Sequence, residues 1–377
     1  MLNSLFRKIR AKARRVLCGR ANLQSALELP SAQRAVLVEP GNGFGAMNSL
    51  YRGMDNQSGC LLKNKNLNHP LRDVQVLTRY CFTERPYWNS FLSHYSCLGV
   101  SRVDVCVQSE AEQDELLSIS TPEGMKLKIH LLTDKLDPSQ ALQRLPINSI
   151  RDDYQWILLA DCDEYFQILN PNFTVDRLSD LYADTAQFYV PWLMSPRLTW
   201  GDSSFSGFWG HIGKPMVRSQ NLVGVANDHS FYTAKSCSSA SYASLPVGAL
   251  GIALVHFWSR SFRDCLLKTF CNRFKDEKSS DLHEAVSLIR EGKLPARLKL
   301  LAYLIEQQQY LQFREFPNLR VDIDAEEQLL REFLSEEDEK ICSETFSAYR
   351  QKIKLKFASL PIYPAISLLE VVRFLPD

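Results

Sequence analysis

Asp161-Cys162-Asp163-Glu164 places three carboxylates within four residues, directly after the apolar run Trp156-Ile157-Leu158-Leu159-Ala160. Such a run predicts a strand buried on both faces of a parallel sheet, and open α/β folds place ligands at the carboxyl ends of such strands. In an extended chain Asp161 and Asp163 share one side, with Cys162 and Glu164 on the other. Two carboxylates that close repel and raise each other's pKa. A hard divalent cation, Mg²⁺ or Mn²⁺, removes that conflict and is commonly held together with substrate phosphates. The alternative is an acidic turn that ends a strand in water.

The surrounding pattern supplies elements to hold these residues. Val74 to Cys81 reads as a strand, and Thr83 as the cap of a helix whose first turn carries Pro86. Trp88, Phe91, Leu92, Tyr95 and Leu98 give that helix one apolar face, and Gly99 ends it. Val103 to Val107 follows as a strand, completing a βαβ unit with a right-handed crossover expected. Leu127 to Leu132, the carboxylate strand, Gln187 to Trp192 and Leu250 to Trp258 continue the series, the last holding His256. Ser261 caps a further helix, and from Asp281 to Phe357 the chain reads as helices. Gly41-Asn42-Gly43-Phe44-Gly45 lacks the ending of a phosphate-binding loop and is read as a plain loop.

Composition narrows the classes. The chain has 377 residues, 45% hydrophobic and 23% charged, as an ordinary globular protein does. A formal net charge of +1 offers no basic field for nucleic acid. Ten cysteines form no Cys-x-x-Cys pair. Cys81, Cys97, Cys106 and Cys162 sit in apolar segments, which suggests reduced, buried thiols and a cytoplasmic protein. No stretch approaches the roughly 20 apolar residues a membrane span needs. Residues 1–18 set Leu2, Leu5, Phe6, Ile9, Ala13, Val16 and Leu17 opposite Arg7, Lys8, Arg10, Lys12, Arg14 and Arg15. That is a basic amphipathic helix able to lie on an anionic membrane, or equally a helix packed on its own protein or a tail.

Four ordered stretches resemble family-2-like glycosyltransferases of the group related to family 92, over roughly residues 73–275. They are Phe82-Thr83-Glu84-Arg85-Pro86-Tyr87-Trp88 with its helix ending Leu98-Gly99-Val100; Trp156 to Tyr165 around the acidic cluster; Gly213-Lys214-Pro215-Met216-Val217-Arg218 with His229 downstream; and His256-Phe257-Trp258-Ser259-Arg260-Ser261-Phe262 followed by Lys268. Thr83 stands where the family has Asn, and Gln108-Ser109-Glu110 where it shows Asn-x-Ser-x-Asp. The resemblance implies a GT-A-like α/β/α sandwich with a mainly parallel sheet over 73–275, preceded by the irregular region 1–72 and followed by a helical extension over 276–377. It implies transfer of a sugar from a nucleoside diphosphate donor to a hydroxyl acceptor. With no secretory segment visible, the expected acceptor is a glycan or lipid-linked precursor in the cytoplasm at the inner membrane face.

In that chemistry Asp163 holds the Mn²⁺ or Mg²⁺, Asp161 touches the ribose or the metal through water, and His256 is a third ligand or a hydrogen-bonded structural residue. Glu84, by the resemblance, and Lys214, Arg218, Arg260 and Lys268, by charge, face the donor; each cation is otherwise a surface charge. Glu164 pairs with a basic neighbour or, by its family position, acts catalytically. Asp202 and Asp228 are carboxylates available to deprotonate the acceptor. Trp192, Trp200, Phe208 and Trp209 stack on a sugar or fill the core. Two other readings stay open: a catalytically silent binding protein on the same fold, and a metal-dependent phosphatase of the haloacid dehalogenase type. Against the latter stand Glu164-Tyr165 and the late position of the acidic strand.

Overall fold

A computed structural model of the chain describes residues 57–60, 69–132, 138–150, 154–168, 173–181, 186–194, 204–234, 252–257, 264, 282–307, 321–332, 334–357 and 367–368. The segment 1–18, the glycine-rich stretch 41–45, Trp200, Asp202, Arg260 and Lys268 lie outside these residues. The strands are β1 Gln57–Cys60, β2 Val74–Arg79, β3 Arg102–Val107, β4 Lys126–Leu131, β5 Trp156–Leu159, β6 Glu164–Ile168, β7 Gln187–Met194, β8 Ser204–Arg218, β9 Leu222–Asn227, β10 Ser230–Thr233 and β11 Ile252–His256. The helices are α1 Arg85–Cys97, α2 Glu110–Ser118, α3 Pro138–Gln143, α4 Ile147–Ile150, α5 Val175–Leu181, α6 Leu282–Arg290, α7 Leu294–Gln307, α8 Ile323–Arg331 and α9 Glu336–Phe357.

One large sheet has the order β4-β3-β2-β5-β8-β7-β11-β6, with β1 paired to β8. The pairs β4–β3, β3–β2, β2–β5 and β7–β11 are parallel. Only β8 and β6 run against the rest, so the sheet is mostly parallel and the fold is mixed α/β. Because β5 is buried throughout, its apolar run is what a doubly covered strand requires. From β2 the chain steps outward to β3 and β4, then returns to place β5 on the other side of β2. That reversal opens a crevice at the carboxyl ends of β2 and β5.

Local signals explain the helix that follows β2. Pro86 sits in the first turn of α1, where a missing N–H costs nothing. Gly99 closes the helix at φ 92°, and a Cβ there would lie 2.4 Å from His69 Cβ, so glycine is required twice over. Thr83, expected as the cap, instead sits in the 3-10 turn Phe82–Glu84 and makes no cap bond; its hydroxyl contacts Cys81 Sγ at 2.9 Å. Tyr95 and His94 tie α1 to β6, donating to the carbonyls of Glu164 at 3.0 Å and Phe166 at 2.8 Å. Cys106 and Cys162 are buried thiols outside any disulfide, whereas Cys81 is half-buried and Cys97, at the end of α1, is exposed rather than buried.

His94 carries a pH consequence. Burial pushes its imidazole down to about 4, partly offset by the bond to Phe166. A depressed folded value means stability that is full above the ordinary 6.5 and is lost as pH falls toward about 4. The loss has an upper bound of about 3 kcal/mol, each pKa unit being worth about 1.4 kcal/mol. Urea unfolding should show this acid loss in the wild type and a smaller one in His94→Gln.

The hairpin β9–β10, with α3 and α4, covers the sheet face carrying Leu77, Ile157, Leu159 and Val217. Gln187 pins the hairpin as a backbone mimic would: its Nε2 donates to Phe231 O at 3.0 Å and its Oε1 accepts from Phe231 N at 3.1 Å. Inside the sheet, buried Asp104 accepts from Arg102, Gln75 and His130, so a charge in an apolar strand is fully paired. The described residues divide into two compact units after His256. The second unit is helical, with Ile289, Leu300, Leu304, Leu330 and Phe346 at its core and a buried Arg297–Glu326 pair at 3.1 Å.

Candidate active site

β5 ends at Leu159, and residues 161–164 form a turn closed by Glu164 N–H donating to Asp161 O at 2.9 Å. The extended alternation expected for this stretch therefore fails at the turn, and Asp161 and Asp163 diverge. The Asp161 N–H donates to Glu164 Oε2 at 2.9 Å, and Cys162 Sγ donates to the Arg79 carbonyl at 3.1 Å, fixing the turn against β2.

Asp161 lies between two cations. Arg79, the last residue of β2, donates from Nη2 at 2.6 Å and Nε at 3.1 Å to Oδ1. Lys214 donates from Nζ to Oδ2 at 2.7 Å. The register explains Lys214: Leu158 faces Met216 across the antiparallel β5–β8 pair, so two further residues bring Lys214 beside the end of β5. Burial alone would raise the Asp161 carboxyl, but Arg79 and then Lys214 outweigh it and hold it below the usual carboxylate range. Burial likewise opposes the charge on Lys214, yet Asp161 and then Glu164 raise it above its ordinary value.

Asp163 turns the other way, toward His256. His256 Nε2 lies 3.5 Å from Asp163 Oδ2, and its Nδ1 lies 4.0 Å from Glu164 Oε1. The antiparallel pairing of β11 with β6 sets His256 opposite Glu164 and so makes this contact. Ligand atoms of Asp163, Glu164 and His256 all fall within 4.8 Å of one another, and all three residues are buried. Glu164 Oε2 is used by the turn, while buried Oε1 makes no hydrogen bond. Burial raises Glu164 well above the usual range, Lys214 at 3.9 Å offsets this in part, and Asp161 and Asp163 add repulsion.

A third group closes the cluster from the hairpin. Lys214 Nζ also donates to the Asp228 carbonyl at 3.0 Å, and Asp228 Oδ2 lies 3.9 Å from both Arg79 Nη2 and His229 Nε2. Trp192 packs on His256 at 4.5 Å and His229 at 5.3 Å between ring centroids, with Lys214 Nζ 5.9 Å from its ring. At 7% exposure the Trp192 ring is core to the site rather than an open sugar platform.

The structure thus gathers Asp161, Asp163, Glu164, Lys214, Asp228 and His256 at one edge of the sheet. Arg218 does not join them. It lies opposite Trp156 at the amino end of β5, stacks on that indole at 4.4 Å and donates to Ser179 O at 3.0 Å. Four strand residues separate it from Lys214, roughly 13 Å. Glu84 ends the 3-10 turn that follows β2. Side chains of Phe208 and Trp209 lie outside the described residues. Arg79 was not singled out in the sequence; a lone cation ending the strand Val74–Thr78 at the ligand edge is the signal that marks it.

The donor set fits a divalent cation. Among the described residues, Asp161, Glu164 and Asp228 share the permanent cations Arg79 and Lys214, while Asp163 faces His256. Two carboxylates with one imidazole form a mixed oxygen and nitrogen donor set of the kind that divalent metal ions take. The orphaned Glu164 Oε1 is the atom such an ion satisfies.

No family model matches this chain, and no curated protein does. Among solved structures, the crystal structure of HddC from Yersinia pseudotuberculosis aligns at 9% identity over 43% of this chain and 84% of that chain. The TM-score is 0.26, an overlap too slight to define a shared fold.

Proposed function

We propose that the protein is a metal-dependent glycosyltransferase with a GT-A-like α/β/α sandwich, moving a sugar from a nucleoside diphosphate donor to a hydroxyl acceptor. The observation that carries this is the convergence of Asp163, Glu164 and His256 within 4.8 Å, beside Arg79 and Lys214 at the switch-point edge of the sheet. Asp163, Glu164 and His256 hold the ion, which when bound neutralises charge on the departing diphosphate. Arg79 and Lys214 fix Asp161 at the edge of the crevice, and the positive charge that the donor's phosphates need would come from the bound ion. The Asp228-His229 turn forms the acceptor side. A carboxylate already held by Arg79 and Lys214 is poorly placed as a nucleophile, which disfavours the phosphatase.

The acceptor in this reading is a glycan or lipid-linked precursor at the cytoplasmic membrane face, with residues 1–18 as the surface contact. No described helix is long and apolar enough to cross a membrane.

Mn²⁺ with uridine or guanosine diphosphate at a hundred times its Kd should stabilise the chain by about 2.7 kcal/mol. That raises Tm by several degrees in a thermal scan. A catalytically silent fold that binds neither ligand shows no shift.

A further inference from the structure

We infer that His229 is the general base of this site, its Nε2 taking the proton of the acceptor hydroxyl while Asp228 stabilises the imidazolium. The inference rests on the transferase reading and names a residue within it.

His229 Nδ1 lies 3.2 Å from the Gly213 carbonyl oxygen. A carbonyl only accepts, so Nδ1 carries the hydrogen and a neutral ring keeps its lone pair on Nε2. Gly213 packs tightly on β7, where a Cβ would sit 2.0 Å from Val190 O, which helps hold its carbonyl in place. Trp192 meets the ring edge-on at 75°, and the His229 N–H donates to Asn227 Oδ1 at 2.7 Å, so both ring and backbone are held. The tautomer and its aim are therefore set by the fold.

Two imidazoles occupy the site, and their surroundings divide their roles. The His256 side chain is 4% exposed and faces two carboxyl groups, whereas the His229 side chain is 24% exposed. The Asp228 carboxylate, 3.9 Å from Nε2, is too far for a strong hydrogen bond but near enough to stabilise a positive ring. Burial and then Lys214 hold His229 below its ordinary value, with Asp228 and Asp161 opposing. Among the described residues, Lys214 from β8, Asp161 from the end of β5 and Asp228 from its own turn are the charged groups acting on it, and at neutral pH the ring is ready to accept.

The step balances. The acceptor O–H bond breaks and its proton passes to Nε2. The oxygen lone pair forms the bond to the anomeric carbon. The anomeric carbon–oxygen bond to the diphosphate breaks, and its electron pair leaves on the diphosphate.

His229→Asn tests this, because the Asn amide still reaches Gly213 O but offers no proton-accepting nitrogen. Nitrogen-15 spectra of histidine-labelled full chain, assigned by this variant, should show His229 neutral and protonated on Nδ1 at pH 7. A ring protonated on Nε2, or charged at pH 7, overturns the assignment. Across UDP- and GDP-sugars with Mn²⁺ and water as acceptor, the variant should lose about 10²–10⁴-fold in kcat and its acid limb, with UDP affinity unchanged. Wild-type kcat and pH profile in the variant also overturn it. Failure of the wild type to bind UDP and Mn²⁺ sinks the transferase reading instead, and the nitrogen spectrum still decides His229.

Discussion

Asp163→Ala is expected to abolish Mn²⁺-dependent turnover and to weaken Mn²⁺ binding by more than about a hundred-fold. Removing partners one shell out from a metal already costs about 10–100-fold, so loss of a direct ligand must exceed that range. Glu164→Gln should act the same way on the metal while keeping an acceptor for the Asp161 N–H, so that the turn survives. The free Mn²⁺ signal in electron paramagnetic resonance reads this without any donor. Unaltered Mn²⁺ affinity in both variants contradicts the ligand assignment.

Asp161→Ala should do the opposite: it should cost about 3 kcal/mol of folding stability, whereas Asp163→Ala should cost less than about 1 kcal/mol. Removing one partner of a buried ion pair strands the other charge, at about 3–5 kcal/mol. The low end applies because the Asp161 side chain is 25% exposed and Lys214 keeps the Asp228 carbonyl. Lys214, fully buried, is the stranded charge. Asp163 instead repels Glu164, so its loss relieves strain between like charges. The pH dependence follows from the sign of the Asp161 shift. A folded value below the unfolded one gives stability that is present above about 4 and is lost as pH falls through the folded value. The gap between wild type and Asp161→Ala in urea should therefore narrow in acid. A gap that is flat with pH, or equal losses in the two variants, contradicts the network.

How much of this was legible depends on what each residue signals alone. Trp156–Leu159 and Val74–Arg79 read clearly because strands covered on both faces must be apolar. The helix Arg85–Cys97 read clearly through its proline, apolar face and terminal glycine. β8 did not, because Ser204–Arg218 mixes serine, glycine, histidine and proline, and its length comes from pairing with β5, β7 and β1 in turn. The acidic cluster was found, but its geometry was not. Alternation assumes an extended chain, and one hydrogen bond from Glu164 to Asp161 replaces that with a turn. That turn sends Asp161 to Arg79 and Lys214 and leaves Glu164 with Asp163 and His256. Lys214 and Arg218 look equivalent in sequence, yet antiparallel register puts them at opposite ends of β5. Gln75, Asp104 and His130 are polar interruptions of apolar strands whose mutual pairing only the sheet register reveals.

The most direct measurement is nucleoside diphosphate release from a panel of nucleotide sugars, with and without Mn²⁺, using the full chain. Release is expected from at least one donor only when Mn²⁺ or Mg²⁺ is present, and none from Asp163→Ala. Release that is indifferent to metal, or no release from any donor with metal supplied, contradicts it.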